Sequence, residues 1–357
     1  VQKQLSEQLV QLEKDFKEQE LKSEFFENFE NFIQAKETEK FQNAAGAQQA
    51  VSQELASDIN TVQQRLSSRI VDAMSPFQSS APSAGELSSQ GSQGLWVNGL
   101  MGRTLDKSTG KKIKNNLAGY SLGYQWDCDG NILGVAFSNL YNKGKITNQS
   151  SNRSTAYIGS LYGAVSYDGW FTGASAFLGL GNAKTSRYQN GVNIAKGSIK
   201  NTLYGGNLMA GIKFGKDEHK FTQYLGLSYG AINQGSYRET GPEAMNVGRS
   251  LNHALTASFN IKYGYEIVGE DYFITPSVML SASRDIFNKN SNVKISQIGT
   301  TGESYNVKGY DGPKTLLGVL PAIEFENSSL KLGLSYGLQF GKKYTAQIGG
   351  LRVALKF

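Results

Sequence analysis

The sequence is poor in cysteine, histidine and proline. Its 357 residues include one cysteine, two histidines and six prolines. The single Cys128 excludes an internal disulfide and a cysteine-based zinc site. No run of about 18 apolar residues occurs, which excludes a helical membrane protein but leaves open one that crosses the bilayer with strands. The chain begins at Val1 rather than at methionine. We therefore expect a fragment or a processed product, in which a missing signal peptide is uninformative.

Charge divides the chain into two parts. Residues 1–93 carry 8 basic and 14 acidic side chains, and residues 94–357 carry 28 basic and 16 acidic ones. A basic domain can indicate nucleic-acid binding. Here the lysines lie mainly in Gly/Asn/Ser-rich segments, without a basic stripe or a known binding module. We expect no nucleic-acid partner, no cofactor and no metal site.

The first 75 residues have the pattern of helices. Leu5, Leu9, Leu12 and Phe16 are spaced by 4, 3 and 4 residues, which predicts an amphipathic helix or coiled-coil stalk. The segment "NAAGAQQA" at 43–50 is expected to interrupt it.

A second helix is predicted after this interruption. Its apolar residues recur at intervals of 4, 4, 3, 4, 4 and 4, with Arg65 and Arg69 on another side. They are Val51, Leu55, Ile59, Val62, Leu66, Ile70 and Met74. The Ser/Pro/Gly-rich segment at 75–94 is expected to be a linker. The predicted organisation is a helical stub at 1–50, a helix with its linker at 51–93, and a β domain at 94–357.

From Leu95 the apolar period changes from 3.6 to 2, which predicts strands. The segment "GLSYG" occurs at 226–230 and 333–337 and fits the G-x-S-x-G pattern of a hydrolase nucleophile elbow. An elbow needs a sharp strand-to-helix turn after the serine, yet the alternation continues through Ser228 and Ser335. The only histidines are His219, in a polar turn, and His253, expected in a lumen or at its rim. We therefore expect no catalytic residues and no enzymatic activity.

Twelve strand candidates follow one another in the β domain. They lie near 94–104, 116–127, 131–142, 153–167, 169–182, 199–215, 219–234, 249–267, 271–286, 309–325, 329–341 and 343–357. Pro276 and Pro321 fall inside two of them and weaken those assignments. Short connections alternate with long ones near 105–115, 143–152, 183–198, 235–248 and 287–308. This alternation is typical of an outer-membrane barrel, which must also close because lipid cannot satisfy a free strand edge.

The predicted fold is therefore all-β, a 12-stranded antiparallel transmembrane β-barrel with helices before its first strand. Trp96, Trp126 and Trp170 lie near strand ends. This position is typical of the aromatic girdles at the two membrane interfaces.

The C-terminus "GGLRVALKF" resembles the terminal β-signal of outer-membrane proteins, with Leu351, Val353, Leu355 and Phe357 alternating. A helix, a linker and about twelve strands in this order resemble the translocator domain of a type V secretion autotransporter, over about residues 51–357. The Lys/Asn/Ser/Tyr-rich composition resembles the surface cell antigens of rickettsia-like bacteria. The resemblance implies the bacterial outer membrane as location. It also implies three partners: the chain's own N-terminal passenger, outer-membrane lipid or LPS, and the barrel-assembly machinery.

The resemblance further implies that the helix before the first strand threads the lumen as a plug, with residues 1–50 emerging at the cell surface. The predicted plug residues are Leu55, Asp58, Ile59, Val62, Arg65, Leu66, Arg69 and Ile70. The segment 51–74 would span roughly 36 Å as a helix, more than the apolar band of roughly 25 Å.

The charges of this helix suggest partners inside the barrel. We expect the acids Glu54, Asp58 and Asp72 to meet lumen Lys or Arg. We expect Arg65 and Arg69 to meet lumen acids. The aromatic residues Phe177 and Tyr224 are expected to face the apolar stripe of the helix.

Other functions remain open at this point. A 12-stranded diffusive porin is the main alternative, although porins usually plug with loops, and an outer-membrane hydrolase is a weaker one. Some proteins of the resembled family cleave themselves at an asparagine inside the lumen. Asn43, Asn60 and Asn116 are candidates, and nothing in the sequence singles one out.

Overall fold

The computed structural model describes residues 2–74, 94–107, 112–128, 131–298, 304–307 and 312–356. The predicted linker (except Gly94) and Phe357 therefore lie outside the described residues. Within these described residues, one helix, α1 (Gln2–Ala73), precedes seventeen strands. The strands are β1 (Gly94–Asp106), β2 (Ile113–Cys128), β3 (Asn131–Ile146), β4 (Ser150–Tyr167), β5 (Trp170–Gln189), β6 (Val192–Lys216), β7 (His219–Gln234), β8 (Tyr237–Arg238), β9 (Met245–Val247), β10 (Ser250–Tyr265), β11 (Ile267–Val268), β12 (Tyr272–Asn290), β13 (Val293–Gln297), β14 (Ser304–Val307), β15 (Thr315–Asn327), β16 (Leu330–Gly341) and β17 (Tyr344–Lys356).

Twelve of these strands form a closed antiparallel barrel, which confirms the predicted fold. They are β1 to β7, β10, β12, β15, β16 and β17. Each pairs with the next one along the chain, and β17 pairs back with β1 from Gly94↔Lys356 to Asp106↔Tyr344. The barrel has a turn end, where short connections join the strands, and a loop end, where the longer connections lie.

Side chains alternate between the outside and the lumen because successive residues of a strand point to opposite faces. In β3, Leu133, Val135 and Phe137 are exposed on the outside, whereas Ser138 and Asn142 are buried inside. An exposed apolar band around a closed barrel is the surface that such barrels present to lipid.

The loop end is more ordered than expected. The predicted loops at 143–152 and 183–198 are mostly continued strands, because cross-strand pairing extends to Ile146↔Ser150 and Gln189↔Val192. Asn190 and Gly191 turn the second hairpin with φ of 50° and 80°, as a two-residue hairpin loop requires. The connections at 235–248 and 287–308 contain β8, β9, β13 and β14, which form a separate four-stranded sheet.

Both weakened strand assignments are confirmed. Pro276 lies in β12 and Pro321 in β15. The pairing of β15 with β16 passes from Val319↔Leu338 to Ala322↔Ser335 without partners for the two residues between them. A proline cannot donate a ladder hydrogen bond, and the barrel accommodates it at this local gap.

α1 is continuous, so the predicted interruption at 43–50 is wrong. Alanine is the best helix former, and the single Gly46 costs only about 1 kcal/mol. Ala44, Ala47 and Ala50 are fully buried where the helix enters the barrel, and this packing stabilises the helical conformation. Over its described residues α1 is too polar to cross a bilayer by itself.

Candidate functional site

The C-terminal half of α1 lies inside the barrel, from the four-stranded sheet at the loop end to the charged residues at the turn end. All apolar residues of the predicted plug are buried, with exposures of 4% or less. They are Leu55, Ile59, Val62, Leu66 and Ile70. The helix packs mainly against β3, β4 and β5, with further contacts to β6 and β7.

The wall facing the stripe has glycines where the helix approaches it most closely. A Cβ on Gly173 would lie 2.8 Å from Cγ2 of Ile70, and a Cβ on Gly230 would lie equally close to Cγ2 of Ile59. Real Cβ atoms do not approach other atoms so closely. Phe177 and Tyr224 belong to the same buried apolar cluster as the stripe, as expected.

The acids Glu54 and Asp58 do not meet lumen cations, so this expectation is wrong. Glu54 accepts a hydrogen bond of 2.9 Å from Ser154 Oγ, and Asp58 accepts one of 2.6 Å from Asn142 Nδ2. The tip of Glu54 sits over Gly144, where a Cβ would fill its place. Each of these buried carboxyl groups therefore has an amide or hydroxyl donor as its partner, rather than an opposite charge.

The arginines also differ from the expectation. Arg69 Nε donates a 2.8 Å hydrogen bond to Gln125 Oε1, and its guanidinium lies 5.9 Å from the ring centroid of Trp96. Arg65 reaches across to the β16–β17 wall near Gly350. Among the described residues, neither arginine forms a salt bridge with an acid.

Trp96 is not part of an aromatic girdle, although Trp126 and Trp170 are exposed outside. Its side chain points inward, is 2% exposed and donates a 2.9 Å hydrogen bond to Tyr162 Oη. The alternation of β1 decides this direction, and nearness to a strand end does not.

Asp72 confirms the expectation for the last acid of the helix. Its carboxylate accepts a 2.9 Å bond from Lys262 Nζ and also pairs with the guanidinium of Arg352. Glu324 lies 3.8 Å from the same guanidinium and 3.0 Å from Lys331 Nζ. These charges join the end of the helix to β10, β15, β16 and β17.

A cavity of about 320 Å³ separates the other face of α1 from β7, β10, β12, β15, β16 and β17. Ser228 and Ser335 line it from the middle of straight strands, so neither stands on the turn that an elbow requires. Neither histidine is hydrogen-bonded to these serines. His219 Nδ1 lies 2.9 Å from Tyr263 Oη. His253 also lines the cavity, and its Nδ1 lies 3.4 Å from Tyr229 Oη.

The asparagine candidates for self-cleavage occupy three different environments. Asn60 lines the cavity, Asn43 is half-buried at the loop end, and Asn116 is exposed on the outer face of β2. An outward-facing residue cannot take part in cleavage inside the lumen, which removes Asn116 from the candidates.

The helix is also held at the loop end, which sequence reasoning missed. The ring of Phe41 packs on Tyr305 of β14 with centroids 4.0 Å apart. Gln48 Nε2 donates to Ser250 Oγ at 3.2 Å, and Ser52 Oγ donates to Gln234 Oε1 at 2.8 Å.

A buried ion pair braces the neighbouring loops. Arg187 of β5 pairs with Glu239 at 2.7 Å, and both side chains are fully buried. Glu239 Oε2 also accepts a 3.1 Å bond from the backbone N–H of Met245, the first residue of β9. The long β5–β6 hairpin is thereby joined to the four-stranded sheet around the helix.

The predicted β-signal residues lie along the seam that closes the barrel. Leu351, Val353 and Leu355 pair with Gly99, Val97 and Leu95 of β1, and Leu351 and Leu355 are exposed outside. Phe357 lies outside the described residues, and the recognition role of this segment stays a prediction.

Comparison with known sequences agrees with the barrel fold described above. The Autotransporter beta-domain family matches residues 95–348. Outer membrane protein A of Rickettsia conorii is 24% identical over 334 residues, covering 88% of this chain and 16% of the relative. Outer membrane protein B of Rickettsia japonica is 27% identical over 224 residues, covering 56% of this chain and 13% of the relative. The chain thus spans about one-sixth or less of the length of these relatives.

Solved structures show the same fold. The translocator domain of the autotransporter NalP from Neisseria meningitidis aligns with a TM-score of 0.66 at 15% identity, covering 85% of this chain and 97% of that domain. The beta domain of the Bordetella autotransporter BrkA aligns with a TM-score of 0.57 at 12% identity, covering 74% and 99%.

Proposed function

The chain belongs to the autotransporter β-domain family, and we propose that it anchors and exports an N-terminal passenger while the C-terminal half of α1 plugs the pore. It is an outer-membrane translocator, as its rickettsial outer-membrane relatives also indicate. The observation that carries the proposal is a helix that enters at the loop end, packs along one lumen wall and is held at both ends by polar contacts.

The direction of the helix supports export to the cell surface. Barrels of the outer membrane keep short turns in the periplasm and longer loops outside. Phe41 lies among the loops and Asp72 near the turns, so the chain preceding Phe41 emerges outside. We propose the domain division 1–50 as a passenger stub, 51–93 as plug helix and linker, and 94–357 as the barrel.

A diffusive channel is the competing function, and the cavity beside the helix is the observation that favours it. Deleting residues 51–74 tests between the two by single-channel recording in planar bilayers. A plugged translocator gains conductance several-fold on this deletion. Deleting residues 2–25, which lie outside the lumen, is the control and leaves conductance unchanged. A large open conductance in the intact chain, unchanged by the plug deletion, would favour the channel.

The partners of the barrel and its lack of enzymatic activity are also proposals. We propose that the β17 segment with Leu351, Val353 and Leu355 is read by the barrel-assembly machinery, and that LPS surrounds the outer half of the barrel. We further propose that the domain has no catalytic activity, which the tyrosine-bound histidines support. Replacing His219 and His253 together should leave export unchanged.

A further inference from the structure

The outer face of β1 to β5 carries a row of basic side chains near the loop end. Cross-strand pairing places Arg103 beside Asn116, Asn116 beside Lys143, Lys143 beside Arg153, and Arg153 beside Lys184. All five are exposed, and all point away from the lumen. Four of these five neighbouring positions are therefore positively charged.

Further basic residues extend this row into a belt. Lys114 pairs with Lys145 in the next register row, and Lys196 and Lys200 continue the outward face of β6. The basic belt is defined as Arg103, Lys114, Lys143, Lys145, Arg153, Lys184, Lys196 and Lys200. Its long side chains stand around the half of the barrel against which the helix packs inside.

The belt has no countercharge within the described protein. The outward positions of β1 to β6 hold no acidic residue, and no described salt bridge includes a belt residue. Like charges directly opposite each other destabilise a sheet. The described residues therefore leave the charges of Lys143 opposite Arg153, and of Arg153 opposite Lys184, uncompensated.

The height of the belt indicates which region of the membrane it faces. The outward face of β5 from Trp170 to Leu180 is roughly 33 Å long along the strand. At a strand tilt of about 40° this length corresponds to a height of roughly 25 Å across the membrane, which equals the height of the apolar band. Lys184 lies about 10 Å higher than Leu180 by the same geometry. Tyr141 and Tyr157, exposed just below Lys143 and Arg153, occupy the interface.

We propose that the basic belt binds the phosphate groups of outer-leaflet lipids. Arginine can hold a phosphate with two parallel hydrogen bonds, and lysine contributes a point charge. The belt begins where the lipid-facing band ends, so the lipid that covers the band brings its headgroup to the belt. The proposal deepens the LPS contact proposed above and rests on the outer-membrane location, but not on passenger export.

The test uses the full chain in nanodiscs of phosphatidylcholine, with and without bisphosphorylated lipid A, at low salt. The belt variant is Lys143→Gln, Lys145→Gln, Arg153→Gln and Lys184→Gln. The control variant removes the same charge from exposed positions of β12, of β13 and of two connections at the loop end: Lys289→Gln, Lys294→Gln, Lys314→Gln and Lys342→Gln. The unfolding temperature and the amount of lipid A that co-purifies with the protein are measured.

Lipid A should raise the unfolding temperature of the wild type and of the control variant by several degrees. At least twofold more lipid A should co-purify with these two proteins than with the belt variant. In phosphatidylcholine alone the belt variant should equal or exceed the wild type, since repulsion is relieved. The proposal would be overturned if lipid A raised the unfolding temperature of the belt and control variants equally. It would also be overturned if dephosphorylated lipid A raised the unfolding temperature of the wild type as much as lipid A does. If inorganic phosphate alone gives the shift, the belt is a small-anion site and the lipid assignment is wrong.

Folding and export are scored separately. Heat-modifiable mobility in phosphatidylcholine reports folding, and Arg153→Gln with Lys184→Gln replaces the belt variant if the latter misfolds. Surface display of residues 1–40 on cells reports export. Loss of lipid A binding with normal display supports the belt proposal, and loss of display with normal binding speaks only against the proposed export function.

Discussion

Replacing Asp72 by asparagine removes the negative charge that joins the end of the plug to the barrel. The carboxylate is 3% exposed and pairs with both Lys262 and Arg352. Removing one partner of a buried ion pair costs about 3–5 kcal/mol, because the other charge stays buried without compensation. Arg352 keeps Glu324 at 3.8 Å, and the cavity gives both cations access to water.

These two features place the expected effect at the lower end, about 3 kcal/mol, which is roughly a hundredfold change in the ratio of open to plugged barrels. Single-channel recordings measure this ratio as the time spent in the large-conductance state. Asp271→Asn, in an exposed turn, is the matched control and should behave as the wild type. Adding Lys262→Met to Asp72→Asn should recover part of the plugging, because it removes one of the unpaired cations. If Asp72→Asn opens the barrel no more than Asp271→Asn does, the reasoning is refuted.

Two further substitutions test the packing of the plug and the loop end. Ile70→Ala removes a fully buried side chain and should lower the free energy of unfolding by about 2–4 kcal/mol, measured as a lower temperature of heat-modifiable unfolding. The lipid-facing Leu161→Ala should lower it much less. An equal effect of the two substitutions would contradict the packing argument. Arg187→Ala leaves Glu239 buried without its partner and should cost the loops about 3–5 kcal/mol, so protease should cut residues 235–248 in the variant while sparing the barrel. The exposed neighbour Arg238→Ala should keep wild-type resistance, and cleavage in both variants would remove the ion pair as the cause.

The strands were predictable because their signal is local. Alternation of apolar and polar residues specifies a strand and its two faces within ten or so residues, so all twelve barrel strands were found. Their ends at the loop side were not found, because β5 and β6 continue by pairing with each other above the membrane. Residues that pair across two strands are distant in sequence, and the periodicity of a short segment does not predict which residues pair.

The plug was predictable in its apolar stripe and only partly in its polar contacts. Leu55 and Ile70 follow the helical period and are buried. Asp72 finds the basic partners expected of it, but Glu54 and Asp58 face Ser154 and Asn142 instead. The depth and rotation of the helix in the barrel decide which lumen residue lies opposite each helix residue. The sequence of the helix specifies neither the depth nor the rotation.

The sequence by itself determined that residues alternate with a period of two, so that each strand has one apolar face. It also determined that twelve such strands follow one another with alternating short and long connections, after an amphipathic helix. Only the tertiary structure decided that Trp96 turns inward to Tyr162, that Gly144 makes room for Glu54, and that basic residues of four strands align in one row. The physical reason is that closure sets the register between strands. Register then brings together side chains that no short segment contains.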